Sequence, residues 1–137
     1  MSDYTILRGT DAPDYRGDAP GEFRGYGRPL GAEQVAFNLV VIPPHAANAP
    51  PGSDDSFGHH HETQEEIYFV VSGQVKLKLG DEIETLGPRD AIRIAPHVVR
   101  AVRNDGEEDA VMILCSIAVE NIREEAVIHD GFWAREI

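Results

Sequence analysis

Short apolar runs, closely spaced and separated by turn residues, dominate the chain from residue 66 to residue 118. The runs are four to nine residues long and rich in β-branched residues, and pairs such as Ser72-Gly73 and Gly80-Asp81 stand between them. There is no convincing helical period and no internal repeat. This pattern predicts an all-β fold, an antiparallel sandwich or barrel. The predicted strands are Val35–Ile42, Glu66–Val71, Val75–Leu79, Glu82–Leu86, Ala91–Ile94, Arg100–Arg103 and Ala110–Ala118.

The two ends of the chain lack this pattern. Residues 1–34 are rich in Gly, Pro, Asp and Arg and are predicted to form an irregular arm. Residues 35–118 would form the barrel, and residues 119–137 a tail that holds a short helix or a docking strand. Phe132 and Trp133 indicate that the tail packs on the barrel or on a partner chain. The length of 137 residues suits one domain.

Charge and cysteine content exclude several classes of function. Twelve basic and 24 acidic residues give a net charge of −12, which disfavours binding to nucleic acid and to anionic membranes. No apolar stretch approaches the roughly 18 residues that span a bilayer, and the first residues do not resemble a signal peptide. The single cysteine, Cys115, cannot form an internal disulfide and is expected to be a small buried hydrophobe. A cytoplasmic protein is therefore expected.

The segment that follows Gly58 indicates a metal site. On a strand, His59 and His61 would share one face and His60 would point the other way. A turn must follow, because a carboxylate five residues beyond His61 cannot return to the same face of an unbroken strand. Two neutral imidazoles and one carboxylate can hold a divalent transition metal and leave coordination positions open. By parity, only one of Glu65 and Glu66 can face inward.

The spacing of this segment resembles the first motif of the cupin superfamily. His59-x-His61 is followed by four residues, Glu66, six residues and Gly73, and the distance to Gly73 selects Glu66 rather than Glu65. The resemblance covers roughly residues 35–118. It implies a small cupin, an antiparallel double-sheet β-barrel of the jelly-roll kind. It also implies a homodimer, with the arm and the tail as the places to look for the interface.

The second cupin motif is matched from Gly87 to Asn104, with one substitution that matters. Asn104 lies four residues after Arg100, so Arg100 stands where the family has its remaining histidine ligand. A guanidinium has no acceptor atom and does not deprotonate in proteins, so it cannot bind a metal. Three alternatives stay open. The metal is held by His59, His61 and Glu66 alone, His97 folds back to complete the set, or no metal binds and Arg100 pairs with Glu66.

The resemblance implies a divalent transition metal (Fe, Mn, Zn, Ni, Co or Cu) in the barrel lumen and a small organic molecule as substrate or ligand. Arg100 would bind an anionic group of that molecule, or form a structural salt bridge. Tyr68 has the parity of Glu66 and could transfer a proton, or be a core aromatic. A dioxygenase, an isomerase or a lyase fits equally well, and the alternative is a non-catalytic binding or sensor cupin.

The remaining candidates are the lumen wall and the other histidines. By default, His45 and His129 are expected on the surface or in loops. The wall is expected to hold Phe37, Leu39, Val70 and Val102.

Overall fold

The computed structural model describes residues 3–134, so the ends of the predicted arm and tail (residues 1–2 and 135–137) lie outside the description. Within this range, ten strands form two antiparallel five-stranded sheets. The first sheet has the order β1 (Glu22–Gly25), β2 (Val35–Ile42), β9 (Ala110–Ile117), β4 (Glu66–Ser72) and β7 (Ala91–Ile94). The second sheet has the order β10 (Ala126–His129), β3 (Gly58–His61), β8 (Arg100–Arg103), β5 (Val75–Leu79) and β6 (Glu82–Leu86). The all-β prediction is confirmed.

Within residues 3–134, helical structure is confined to short segments. They are the 3-10 turn Gly9–Asp11 and two four-residue helices, α1 (Gly27–Leu30) and α2 (Ile122–Glu125). In the described part of the chain, no helix has the length and apolar character needed to cross a membrane. The seven predicted strands agree with the structure to within one residue at each end.

Three of the ten strands are not among these seven: β3 carries the histidine pair for which a strand was considered, whereas β1 and β10 were not placed from the sequence. Each is four residues long and is defined by its partner: β1 pairs with β2, and β10 pairs with β3 along its whole length. Such short edge strands carry little periodicity of their own. The tail contains both of its predicted alternatives, the helix α2 and the strand β10, whereas the division of the chain into arm, barrel and tail stays a prediction.

The core lies between the two sheets and follows strand alternation. On β4, Tyr68 and Val70 are buried, while Ile67 and Phe69 are exposed on the outer face. The core cluster comprises Val40, Ile42, Tyr68, Val70, Val75, Leu77, Ile94, Val102, Ala110, Met112 and Leu114. Val70 and Val102 are thus core residues and not cavity walls.

Two further expectations for side chains need correction. Leu39 alternates with the buried Val40 and does not line the cavity, so its place in the predicted wall was wrong. Cys115 is half-buried and not fully buried, because it alternates with the inward-facing Leu114 on β9.

Two residues of the cupin-like motifs fix the register of the site strands. Gly73 has a φ of 74°, and a side chain there would overlap the carbonyl oxygen of Asp109. Asn104 is fully buried, and its amide donates to the carbonyl oxygens of Ile42 at 2.8 Å and Glu108 at 2.7 Å. Gly73 ends the hairpin strand that carries Glu66, and Asn104 anchors the end of β8.

The tail packs against the second sheet. A Cβ added at Gly58 would come within 2.5 Å of the Phe132 ring, so the ring rests directly on β3. Lys78 Nζ donates to the Phe132 carbonyl oxygen at 2.7 Å and lies 4.4 Å from the ring centroid. The guanidinium carbon of Arg103 lies 4.1 Å from the centroid of the Trp133 ring.

Candidate metal centre

Three potential metal ligands meet between the two sheets. His59 and His61 come from β3 in the second sheet, and their ring centroids are 5.1 Å apart. Glu66 comes from β4 in the first sheet, and its Oε1 lies 3.1 Å from His61 Nε2. One ligand atom from each of the three residues lies within 4.8 Å of the other two. A cation about 2.0–2.2 Å from each atom would produce separations of roughly 3 Å, so the arrangement needs little adjustment to bind one.

The chemistry of these donors also fits a transition metal. Nδ1 of His59 and Nδ1 of His61 are buried and have no hydrogen-bond partner among residues 3–134. Burial, and then the charge of Arg100, lowers the pKa of His59 to about 4, so the imidazole is neutral and has a free lone pair. Burial raises the pKa of Glu66, but the hydrogen bond and charge of His61 and the charge of Arg100 outweigh it and hold the pKa below its usual value. Neutral imidazole and carboxylate are the forms that bind metals.

Glu66 is the inward member of the glutamate pair. It is buried, while Glu65 is exposed and forms an ion pair with Arg93 on the outer face of the sheet. The turn of residues 62–65 joins β3 to β4, and the buried Gln64 within it donates to the side-chain oxygen of Ser116. This turn brings the carboxylate back to the face of the imidazoles.

Arg100 lies beside the three ligands but is not open to the cavity. It pairs with His59 in the register of β3 and β8 and is fully buried. Its Nη2 is 3.6 Å from Glu66 Oε1, and in the described chain none of its side-chain nitrogens makes a hydrogen bond. The guanidinium therefore stands behind Glu66 as a charge partner.

Tyr68 completes the group around the carboxylate. Its hydroxyl donates to Glu66 Oε1 at 3.2 Å. Burial, and then the charge of Glu66, raises the pKa of Tyr68 far above the ordinary value for a phenol. At neutral pH the phenol keeps its proton and acts as a hydrogen-bond donor.

Glu125, at the end of α2, is a site residue that the sequence analysis missed. Its buried carboxylate accepts hydrogen bonds from Thr63 N (2.8 Å), Thr63 Oγ1 (2.7 Å) and Gln64 N (2.6 Å). Burial raises its pKa, but these hydrogen bonds outweigh burial and keep the pKa low. Its Oε1 is 3.7 Å from His61 Nδ1. No sequence signal separates Glu125 from the neighbouring Glu124, because only the pairing of β10 with β3 brings it to the site.

A cavity of about 1120 Å³ adjoins the centre. His59, His61, Glu66 and Tyr68 are among its polar lining residues, which also include Arg16, Arg28 and Arg123, and most of the wall is apolar. The ring of Phe57 stacks on His59 at 5.5 Å between centroids. Other wall residues come from the N-terminal arm, β2, β9 and the tail, among them Tyr15, Phe23, Phe37, Leu114 and Ile128. This volume accommodates a small organic molecule.

The other histidines lie elsewhere. His97 is not brought to the lumen, because its ring faces His60 on the outer side of β3 at 5.8 Å between centroids. His129 lies on the edge strand β10 rather than in a loop, and it is half-buried and in contact with His60. His45 is exposed in the loop after β2, as expected.

Comparisons with known proteins agree with this architecture. The family model described as "Cupin domain" matches residues 39–117, and the chain belongs to this family. No relative is found among curated protein sequences.

Solved structures show the same fold. A cupin protein from Bacteroides fragilis aligns with a TM-score of 0.64 at 21% identity, over 88% of each chain. KdgF from a Halomonas species aligns with a TM-score of 0.64 at 19% identity, over 89% of this chain and 99% of its own. An RmlC-like cupin from Shewanella frigidimarina aligns with a TM-score of 0.63 at 10% identity, over 90% and 96%. At these identities the likeness shows the fold alone.

Proposed function

We propose that this cupin binds a divalent transition metal through His59, His61 and Glu66 and acts on a small organic molecule held in the adjoining cavity. The observation that carries the proposal is the meeting of three ligand atoms within 4.8 Å beside a cavity of about 1120 Å³. A bound metal of this kind supplies a Lewis acid that polarises a substrate oxygen, or a centre that activates oxygen. The reaction classes that fit are those of a dioxygenase, an isomerase or a lyase.

Tyr68 and Glu125 would prepare the ligands for the metal. The Tyr68 hydroxyl, which donates to Glu66 Oε1, directs one lone pair of that oxygen and holds a proton beside the substrate space. When His61 binds a metal through Nε2, its Nδ1 carries the proton, and Glu125 is the adjacent carboxylate, 3.7 Å away. A carboxylate in this position orients the ring and makes the imidazole more basic.

Arg100 would tune the site through charge. A fully buried guanidinium without hydrogen bonds is costly, so its attraction to Glu66 is the interaction that makes its burial tolerable. When Glu66 also binds a cation, the attraction between its carboxylate and Arg100 becomes weaker. An anionic group of the substrate would then supply the missing negative charge. Because Arg100 does not line the cavity, Glu66 would have to shift toward the metal before such a group could reach it.

A second candidate function is a non-catalytic binding or sensor cupin without a metal. It is favoured by the Arg100 Nη2 to Glu66 Oε1 separation of 3.6 Å, since this pair already neutralises the carboxylate. The two candidates differ in metal content and in turnover.

A thermal-shift screen tests the proposed substrate class. The metal-loaded wild type and Arg100→His are each screened against small carboxylic and phosphorylated acids and matched neutral analogues. Acids are expected to raise the melting temperature of the wild type more than their analogues do, because ligand binding stabilises the folded state.

Arg100→His is expected to bind metal about tenfold more tightly, since a repelling charge becomes a ligand, and to lose the preference for acids. Equal metal affinity and equal acid binding in both forms would contradict the role of Arg100. NMR of each hit incubated with the protein then separates an enzyme from a sensor.

We also propose a homodimer, through the outer face of the first sheet. Large apolar side chains are exposed there, and a patch of this kind is typical of an interface. They are Ile67, Phe69, Val71 and Ile117. Light scattering should give a dimer for the wild type and a monomer for Ile67→Lys. The control Ile83→Lys changes an equally exposed isoleucine on β6 and should leave the dimer intact. A monomeric wild type would contradict the proposal.

A further inference from the structure

The outer face of β3 carries a second group of imidazoles. His60 alternates with His59 and His61, so its ring points away from the lumen. Glu62 follows β3 directly, and His97 lies in the turn before β8. One ligand atom from each of His60, Glu62 and His97 lies within 4.8 Å of the other two.

Both nitrogens of the His60 ring are already directed at polar partners. Nε2 is 2.9 Å from Glu62 Oε1, and Nδ1 is 2.7 Å from Nε2 of His129 on β10. If Nε2 of His60 binds a metal next to Glu62, Nδ1 keeps its hydrogen and donates it to His129. A ligating histidine usually donates its second ring N–H in this way, which fixes its tautomer and orientation.

The group is accessible, and its backbone is held in place. The His60 side chain is 16% exposed and that of Glu62 is 45% exposed, so an ion can enter from solvent. His97 has a φ of 70°, a left-handed backbone conformation that most residues other than glycine rarely adopt. Its amide donates to the carbonyl oxygen of His61 at 2.8 Å, which keeps the turn beside β3.

We propose that this outer group is a second metal site, which takes Zn²⁺. His60, Glu62 and His97 would be the protein ligands, a water would take the fourth position, and His129 would support His60. Two imidazoles and one carboxylate are a common ligand set for zinc with an open position. The site is separate from the lumen, because the side chains of its three ligands lie on the face of β3 opposite to His59 and His61.

The outer site would connect the tail to the barrel. Among the described strands, β10 pairs only with β3, so it is an edge strand of the second sheet. Zinc bound by His60 and His97, with His60 held by His129, would link β3, the turn before β8 and β10. The same tail carries Glu125, so the outer site would also stabilise the segment that reaches the lumen.

Zinc titration of the full chain, made without a polyhistidine tag and stripped with chelator, tests the proposal. The variant His97→Asn removes one ligand, and asparagine tolerates the left-handed backbone. The control is His45→Asn, since His45 is also a histidine with a positive φ (62°), 3.5 Å from a carboxylate oxygen of Glu107. His97→Asn should bind one zinc fewer per chain than His45→Asn, whatever the lumen holds. Equal zinc binding by the two variants would overturn the outer site.

A second measurement needs no variant. The ring nitrogens of all six histidines are followed by NMR as zinc is added to the wild type. A metal at the outer site should shift the resonances of His60 and His97 directly, with a smaller change at His129. His129→Ala should then weaken this step about 10-fold without abolishing it, as expected for a supporting residue. Zinc that shifts only His59 and His61 would overturn the proposal.

Discussion

The two faces of β3 place the same residue type in two different environments. On the lumen face, His59 and His61 lie among Phe57, Glu66 and Arg100, and buried nitrogens have no hydrogen-bond partner in the described chain. On the outer face, the nitrogens of His60 already contact Glu62 and His129. Adjacent histidines are thus separated into a dry site and a wet site by the alternation of one strand.

This difference has an energetic consequence for metal binding. An ion bound to Nδ1 of His59 would satisfy a buried nitrogen that otherwise lacks a hydrogen-bond partner in the described chain, which adds to its affinity. An ion on the outer face must replace existing hydrogen bonds and compete with water. The lumen is therefore expected to bind a given metal more tightly than the outer face, and removing one lumen ligand should have larger effects than removing one outer ligand.

The largest single-residue effect is expected for Glu66→Gln. It removes a charged ligand and leaves the buried Arg100 without its counter-charge, which should lower the free energy of unfolding by roughly 3 kcal/mol. The affinity of the lumen for metal should fall at least about a hundredfold. This loss is expected to exceed the loss of outer-site affinity when one outer ligand is replaced. The control Glu65→Gln breaks an exposed ion pair and should cost less than about 1 kcal/mol. Urea unfolding and metal titration of both variants measure these effects, and a larger loss in Glu65→Gln would reverse the assigned parity.

A smaller effect is expected for Glu125→Gln, which acts on the lumen through His61. The amide cannot compensate the proton on His61 Nδ1 as a carboxylate does, so metal affinity should fall by about 10–100-fold. Glu124→Gln, on the exposed side of the same helix, is the matched control and should be silent. Loss of packing alone would lower stability without selectively lowering the affinity of the lumen for metal. The free energy of unfolding and the lumen metal affinity are therefore both measured. An unchanged lumen affinity would remove Glu125 from the site.

The smallest effect concerns pH and the dry environment of His59. Its pKa is about 4 in the folded, metal-free protein and 6.5 in the reference state. Between these values the unfolded chain binds a proton that the folded chain does not, so stability falls as the pH is lowered through this range. From pH 7 to pH 5 the loss should be about 1–2 kcal/mol. The low-pKa carboxylates Glu66 and Glu125 lose their contributions below their reference pKa of 4.5, outside this window. Denaturant titrations at pH 7 and pH 5 should show this loss of unfolding free energy in the wild type and a smaller loss in His59→Asn. An equal loss in the two proteins would contradict the buried, neutral state of His59.

The sequence was sufficient for the parts of the fold that repeat a local rule. The apolar runs and turn glycines predicted seven strands, parity allowed only one of Glu65 and Glu66 to face inward, and the resemblance to the first cupin motif selected Glu66. These features are local because strand alternation and turn chemistry act over a few residues. The register of the second motif likewise placed Arg100 next to Glu66, although its separation from the cavity was not foreseen.

The contacts made by the two ends of the chain could not be read from the sequence. The strands β1 and β10 depend on long-range pairing, and so does the approach of Glu125 to His61. The outer histidine group has the same origin, since His60, His97 and His129 come from three separate segments. Nothing in the spacing of those residues marks them as neighbours, because only the folded sheet brings them together.

The central claim is that the lumen face of β3 holds a transition metal, and elemental analysis of protein made without a tag tests it most directly. The double variant His59→Ala with His61→Ala removes two ligands, each worth roughly 3 kcal/mol, and should weaken the lumen site more than a thousandfold. The matched variant His60→Ala changes the residue between them. We expect the wild type and His60→Ala to retain one lumen metal per chain after dialysis against a weak chelator, and the double variant to retain none while its β-type circular dichroism is preserved. A folded double variant that keeps the same metal content as the wild type would contradict the assignment.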